Sequence, residues 1–216
     1  MERDLALIVP LDFKPLPTAR FRTAMLDIPW EFKAGVTSRP QHYRRMTKHE
    51  IMAMNPVRII HEDGGWLLLW CYGPFTQMMF RAVENWVRLH GRRITFSTRY
   101  IGWVKLIESH PGLDVAPIHS ADLHNGLGLV SMKNIEDLWA FKVGPSPRLK
   151  ARGQRELLIA PVREHSRKPE DSFERVRLTF PGPYVEIFSR QPRANWTTWG
   201  DEATYFIQQE RRYVVK

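Results

Sequence analysis

Residues 24–32 read AMLDIPWEF. With Thr23 ahead of them, these apolar residues predict a short buried strand, TAMLDIPW, that runs straight into an acid, a proline and a tryptophan. A strand end carrying a carboxylate beside an indole is chemically loaded. What the chain does depends on what the rest of the sequence builds around that end.

Outward from it, strand and helix signals alternate. TKHEIMAM (47–54) opens with Thr47 and Glu50 at capping-box spacing and stops before Pro56, which predicts a short helix. GWLLLWCY (65–72) reads as a second buried strand. Pro74 then starts a helix with Phe75, Met78, Met79, Ala82, Val83, Trp86 and Leu89 on one face, closed by Gly91. That Met and aromatic stripe is core packing. ITFSTRYIGWVKL (94–106) reads as a third strand, long or bent, and residues 108–130 lack periodicity and read as a loop. IEDLWAFKVG and RELLIAPVR are two more strands. In KPEDSFERVRL, Pro169 suits a helix's first turn and Glu170 and Asp171 its positive end. YVEIFSR (184–190) is expected as the final buried strand. Nothing repeats and no linker divides the chain, so residues 1–216 are expected to form one α/β sandwich domain on a mainly parallel sheet. Such sheets bind ligands at the carboxyl ends of their strands. Two ends stand out, LDIPWEF and EIFSR followed by QPRANWTTWGDE.

Composition narrows the class. The chain has 216 residues, 43% hydrophobic and 25% charged, as soluble globular proteins do. Its longest apolar run, WLLLWCYG, is too short to span a bilayer, so no membrane is expected as a partner. MERDLALIVPLDFKP carries three acids and does not read as a signal peptide. The single cysteine, Cys71, excludes an internal disulfide and fits a reducing compartment such as the cytoplasm. In an apolar strand it is expected to be an inert thiol. The net charge of +9 favours a polyanionic partner. No acid falls between Phe32 and His49, where Lys33, Arg39, Arg44, Arg45 and Lys48 lie, nor between Leu138 and Arg155, where Lys142, Arg148, Lys150, Arg152 and Arg155 lie. Both stretches read as loops. They suit phosphate contacts, or else form a solvated basic surface.

Several chemistries lack their motifs. There is no G-x-x-x-x-G-K-[ST] loop and no G-x-G-x-x-G turn after a strand, and GLGLVS (126–131) has no strand–turn–helix context. No G-x-S-x-G exists for a hydrolase nucleophile. His110, His119 and His124, with Asp114 and Asp122, are too irregularly spaced to predict a metal site.

DIPW resembles the Asp-Pro-Pro-Trp motif of methyltransferases that act on the N6 of adenine, and more of the chain resembles one branch, the MT-A70-like family. HYRRMTKHEI is similar to its Tyr-x-x-Met-(Ser/Thr)-x-x-Glu segment. GWLLLWCYGP and IGWVK resemble its Leu-Trp-Val and Trp-Val-Lys strands. REHSRKPEDSFERV and YVEIFSRQPRANWTTWGDE resemble its Arg-Glu-x-Ser-x-Lys-Pro segment and its Leu-Glu-Leu-Phe-(Ala/Gly)-Arg…Trp-Gly-Asn-Glu tail. The likeness spans about residues 21–203, with the segments in family order. It implies a Rossmann-like class I methyltransferase sandwich with helices on both faces, circularly permuted so that the catalytic strand comes first and the cofactor strand last. It implies S-adenosyl-L-methionine as methyl donor. The chain departs from the family at Ile28, where the first proline stands, at Asp201 in place of Asn, and at GLGLVS in place of Gly-x-Gly-Tyr-Trp. Asn134 and Glu136 keep the family's Asn-x-Glu.

The resemblance makes chemical sense of the opening stretch. The exocyclic N6 of adenine is a poor nucleophile because its lone pair is delocalised into the ring. Acceptors for both its N–H bonds favour the tetrahedral geometry it must reach. Asp27 offers a carboxylate, the main chain at Ile28 a carbonyl, Pro29 a stiff turn and Trp30 a flat face for an unstacked base. Carried over residue by residue, Lys168 would face the donor's methionine carboxylate, with Asp27 near its amino group. Phe188, Ser189, Arg190 and Arg193 would line the ribose and adenine site, and Asp201 and Glu202 would bond the ribose hydroxyls or adenine edge. Tyr43, Arg44, Arg45, Lys105, Asn134 and Glu136 join Trp30 on the substrate side. Lys105 is open between reaching a phosphate, supporting the catalytic loop and a structural role.

The expected function is therefore methyl transfer to adenine N6 in nucleic acid. DNA is expected ahead of RNA, because so compact a chain lacks a separate reader domain. The alternative is a catalytically silent relative that binds nucleic acid or a partner subunit as a scaffold. Whether the protein acts alone, as a homodimer or with a partner subunit stays open.

Overall fold

The sheet is built outward from β1 (Thr23–Leu26), the strand that ends at Asp27. The computed structural model describes residues 13–31, 45–126, 130–145, 147–164 and 166–206. Tyr43, Arg44 and residues 127–129 of GLGLVS lie outside them. Seven strands form one sheet in the order β5-β3-β4-β2-β1-β6-β7: β2 (Gly65–Cys71), β3 (Ile94–Leu106), β4 (Ile135–Val143), β5 (Leu157–Pro161), β6 (Tyr184–Ile187) and β7 (Trp196–Trp199). β1 pairs in parallel with β2 and β6, β6 with β7, and β3 with β5. β4 alone runs antiparallel, between β2 and β3. Among the described residues no α-helix separates β3 from β4, only irregular chain and a short 3₁₀ turn, Ser120–Asp122. The chain therefore re-enters the sheet at the end it left, and β4 must run back.

Both faces are covered, as expected of a Rossmann-like methyltransferase sandwich. Successive side chains of a strand point to opposite faces. Ala24, Leu26, Leu67, Leu69, Phe141 and Val143 pack on one face against α1 (Lys48–Ala53) and α2 (Thr76–His90). Met25, Trp66, Leu68, Trp70, Trp103 and Leu138 pack on the other against α3 (Glu170–Thr179). α1 starts in the predicted capping box: the Glu50 N–H donates to Thr47 Oγ1 (3.2 Å) and the Thr47 N–H to Glu50 Oε2 (2.7 Å). Gly91 ends α2 at φ 68°, the left-handed conformation that glycine adopts without a Cβ clash.

Some expectations are corrected. α2 begins at Thr76, after a 3₁₀ turn over Gly73–Phe75, and Leu89 in its last turn is exposed rather than in the core. β3 is a single long strand whose pairing with β4 shifts register between Phe96 and Thr98 and between Arg99 and Ile101. Residues 138–143 of the second basic stretch lie in β4. YVEIFSR is not the final strand, because β7 follows it. The link between them, residues 188–195, is shorter than the dozen residues a parallel crossover ordinarily needs. Phe188 (φ 62°) and Asn195 (φ 64°) both sit in the left-handed region and tighten it.

Candidate active site

The carboxyl ends of the parallel strands gather a row of charges. On the α3 face, the two-residue period that buries Ile101 and Trp103 brings Lys105 inward at the end of β3. The same period sets Glu136 at the start of β4 in line with Leu138 and Ala140, and Asp27 just past β1 in line with Met25. Because β4 is antiparallel, its first residues stand at the end where its neighbours finish. Lys168, directly before the Pro169 cap of α3, reaches down onto this row. Its Nζ lies 2.8 Å from Asp27 Oδ2 and 3.1 Å from Glu136 Oε1, while Lys105 Nζ lies 2.7 Å from Glu136 Oε2. Lys168 also sits 5.6 Å from the centre of the Trp70 ring, and Lys105 4.8 Å from that of Trp103.

Two ammonium groups and two carboxylates balance in this quartet. Buried charge is tolerated only when it is paired. Burial disfavours the Lys168 ammonium, but Asp27 and Glu136 overcome it and hold the group well above the ordinary lysine range. Burial likewise opposes the Glu136 carboxylate, yet Lys168 and Lys105 pull it down to about 2. Asp27 is different. Burial raises its carboxyl above the ordinary aspartate range, Lys168 opposes the shift and Glu136 adds to it. Its side chain is 25% exposed, against 6% for Lys168 and 11% for Glu136, so it is the member of this ion chain most open to a ligand.

The turn after Asp27 is pinned in place. The Trp30 N–H donates to the Ile28 carbonyl (2.9 Å), the Met46 N–H to the Pro29 carbonyl (2.7 Å), and the Glu31 N–H to the Met46 carbonyl (3.1 Å). These bonds tie the turn to the chain just ahead of α1 and bring Arg45 next to it. The Trp30 indole stacks on Phe75, centroids 5.3 Å apart and planes 8° from parallel. The Ile28 side chain is buried in the α1/α2 core.

On the other side of β1, Phe188 turns sharply at the end of β6, and Ser189 N–H donates to the Trp199 carbonyl (3.0 Å) at the end of β7. Arg190 pairs with Glu202 (Nε to Oε2, 2.8 Å) and lies over Tyr205 and Phe206. Beneath this turn, Glu186 is buried and accepts from Ser189 Oγ (2.9 Å) and Arg193 Nε (3.2 Å). Arg193 Nη1 also reaches both oxygens of Glu170, at 2.7 and 2.5 Å. Burial lifts the Glu186 carboxyl to about 7, against the pull of Arg193 and Ser189.

The MT-A70 family model matches residues 21–202, from just before β1 to the Arg190–Glu202 pair. The chain belongs to the MT-A70 family. Members of that family are S-adenosylmethionine-dependent methyltransferases, and the chain is a methyltransferase of that kind. No curated protein matches it.

Against the MT-A70 reading of the sequence, the structure unites Asp27, Lys105, Glu136 and Lys168, drawn from four separate segments. Glu136 and Lys105, expected beside the substrate, face inward to each other and to Lys168. The carbonyl of Asn134 accepts the Lys105 N–H (2.8 Å) and fixes the height of β4 against β3. The Ile28 carbonyl, expected as an acceptor, already takes the Trp30 N–H and keeps its second lone pair. Phe188, Arg190 and Glu202 cluster at the β6 end. Asp201 is exposed beside them. Ser189 and Arg193 turn away into the Glu186–Glu170 network under α3, which the sequence reading missed. Tyr43 and Arg44 lie outside the described residues. Cys71 is buried, its thiol pushed up to about 12 by burial, which suits an inert role. Among the described residues no group of His, Cys, Asp or Glu could hold a metal ion, and no helix is long and apolar enough to cross a membrane.

Proposed function

We propose that the chain methylates the exocyclic N6 amine of adenine in nucleic acid, in DNA ahead of RNA. The observation that carries this reading is Asp27, a partly open carboxylate at a strand tip, followed at once by a pinned turn. An amine that must become tetrahedral needs an acceptor for each N–H. Asp27 serves one, and the second lone pair of the Ile28 oxygen serves the other. Trp30, backed by Phe75, gives the flipped base a rigid platform.

The donor site fits the same geometry. The methionine end of S-adenosylmethionine carries an ammonium and a carboxylate on one carbon, and Asp27 and Lys168 offer the complementary charges side by side. Phe188, Arg190 and Glu202 lie at the adjoining strand end, where a ribose and adenine would rest. When bound, the sulfonium supplies an electrophilic methyl group. Asp27 holds the amine, the turn aims it, and Trp30 keeps the base out of its stack.

The test is transfer from labelled donor to matched DNA and RNA oligonucleotides, followed by digestion to nucleosides. Label in N6-methyldeoxyadenosine is the expected product. Label on another atom would refute the N6 assignment, and label in RNA alone would reverse the choice of substrate.

A further inference from the structure

Glu136 has no place in the chemistry above, yet it is the most tightly held carboxylate of the site. It bridges two lysines, Lys105 at 2.7 Å and Lys168 at 3.1 Å. Lys168 therefore has two counter-ions, although one would neutralise it. The second matters once Asp27 has other duties. If Asp27 were the sole partner of Lys168, turning it to a substrate amine or a donor ammonium would strand a buried ammonium. With Glu136 present, Lys168 keeps a carboxylate whichever way Asp27 turns, and Lys105 keeps Glu136 balanced. The antiparallel direction of β4 makes this possible, because it presents an early residue at the carboxyl ends of its neighbours.

We infer that Glu136 is a positioning residue: it holds Lys168 charged and in place as the standing counter-ion, so that Asp27 is released to the reacting groups. The inference rests on the donor and amine roles proposed for Lys168 and Asp27. It assigns Glu136 to the charge balance of the donor site rather than to contact with the base, and it makes Lys105 the balancing partner of Glu136.

A standing counter-ion gives a signature that packing does not. Glu136→Gln keeps the shape and removes that counter-ion, and pairing it with Lys105→Met restores net neutrality but leaves Asp27 the sole partner of Lys168. Binding of S-adenosylhomocysteine to the full chain, measured by calorimetry, is expected to weaken about tenfold in Glu136→Gln, a change of about 1.4 kcal/mol, and to stay about tenfold below the parent in the neutral double variant. Glu136→Asp, which keeps the charge, should bind within about threefold of the parent. Equal binding by Glu136→Gln and parent would overturn the inference, as would a double variant that regains the parent's affinity. If Glu136→Gln does not fold, the double variant and Glu136→Asp carry the test, with parental binding by the double variant as the refuting result. A parent that does not bind S-adenosylhomocysteine would instead refute the donor-site reading on which the inference stands.

Discussion

At the scale of the residue, Asp27 holds two commitments that compete, to the ammonium of Lys168 and to any amine brought to the strand tip. Asp27→Ala should lower turnover at least about 100-fold, the usual range for a lost proton-handling group, with little change in melting temperature. Lys168 keeps Glu136 in that variant, shared with Lys105, so its ammonium is not left without a counter-ion. A variant retaining most of its turnover would show that Asp27 is not the amine's acceptor. The raised carboxyl of Asp27 also fixes a sign with pH. Turnover needs its ionised form, so activity is full above the raised value and is lost as pH falls through it. The acid limb should therefore lie above the ordinary aspartate value of 3.8. Removing the like charge in Glu136→Gln should move that limb to lower pH, and a limb that stays put would detach Glu136 from Asp27. Ile28 behaves differently. Its side chain is 2% exposed, so Ile28→Pro, which restores the family tetrapeptide, gives up part of a well-packed group. Turnover should hold while stability falls by about 1 kcal/mol, read by denaturant unfolding.

At the scale of the element, the junction of β6 and β7 is the tightest part of the site. A Cβ on Gly200 would stand 2.9 Å from the Ser189 carbonyl oxygen and 3.0 Å from its nitrogen, and backbone cannot yield as a side chain does. Gly200→Ala should cost about 1–3 kcal/mol and weaken S-adenosylhomocysteine binding, because the displaced chain carries Phe188 and Arg190. Unchanged binding would separate this junction from the donor site. Glu186, on β6 beneath it, gives a pH signature. Its folded value of about 7 lies above the 4.5 of an ordinary glutamate, so its contribution to stability is full below about 4.5 and is lost as pH rises through about 7. Glu186→Gln should flatten the fall of melting temperature over that window, and an unaltered slope would contradict it. These elements also show what the sequence could and could not reveal. α1 was legible because Thr47 and Glu50 form a local box, and α2 because its apolar period and closing glycine are local too. β7 was not: the four residues WTTW, between Asn195 and Gly200, are too short a run to carry much strand signal. The direction of β4 was hidden because hydrophobic pattern does not encode polarity. Asp27 and Lys168 were visible through the family resemblance. Their bond to each other, across 141 positions, was not. The only local trace of the quartet is that the inward-facing period of β3 and of β4 ends in a charge, Lys105 after Ile101 and Trp103, and Glu136 before Leu138.

At the scale of the whole molecule, the two basic stretches occupy different places, and that decides what each can hold. Arg45 precedes Met46, whose backbone pins the turn after Asp27, so Arg45, at the described end of the first stretch, borders the proposed base site. The second runs back along α3. The Lys150 N–H donates to the Thr179 carbonyl (2.8 Å) and Arg175 Nη1 to the Arg155 carbonyl (3.0 Å), with Arg148, Arg152 and Arg155 exposed. α3 spans Glu170–Thr179, about 15 Å of helix, so the Lys150 anchor is that far from Lys168. A short oligonucleotide held at Asp27 cannot touch both places, and a long duplex can. Arg148→Gln with Arg152→Gln should therefore lower the slope of log affinity against log salt by about two units on a long duplex, at about 0.9 per lost phosphate contact, and leave a short oligonucleotide unaffected. Neutralising Arg44 and Arg45 should lower the slope on both substrates. S-adenosylhomocysteine binding should stay at the parent value in every case, since the proposed donor site is built from Asp27, Lys168 and the chain at the end of β6. If the Arg148 and Arg152 pair changes the slope on neither substrate, that stretch is a solvated surface, and the phosphates are held from the Arg45 side alone.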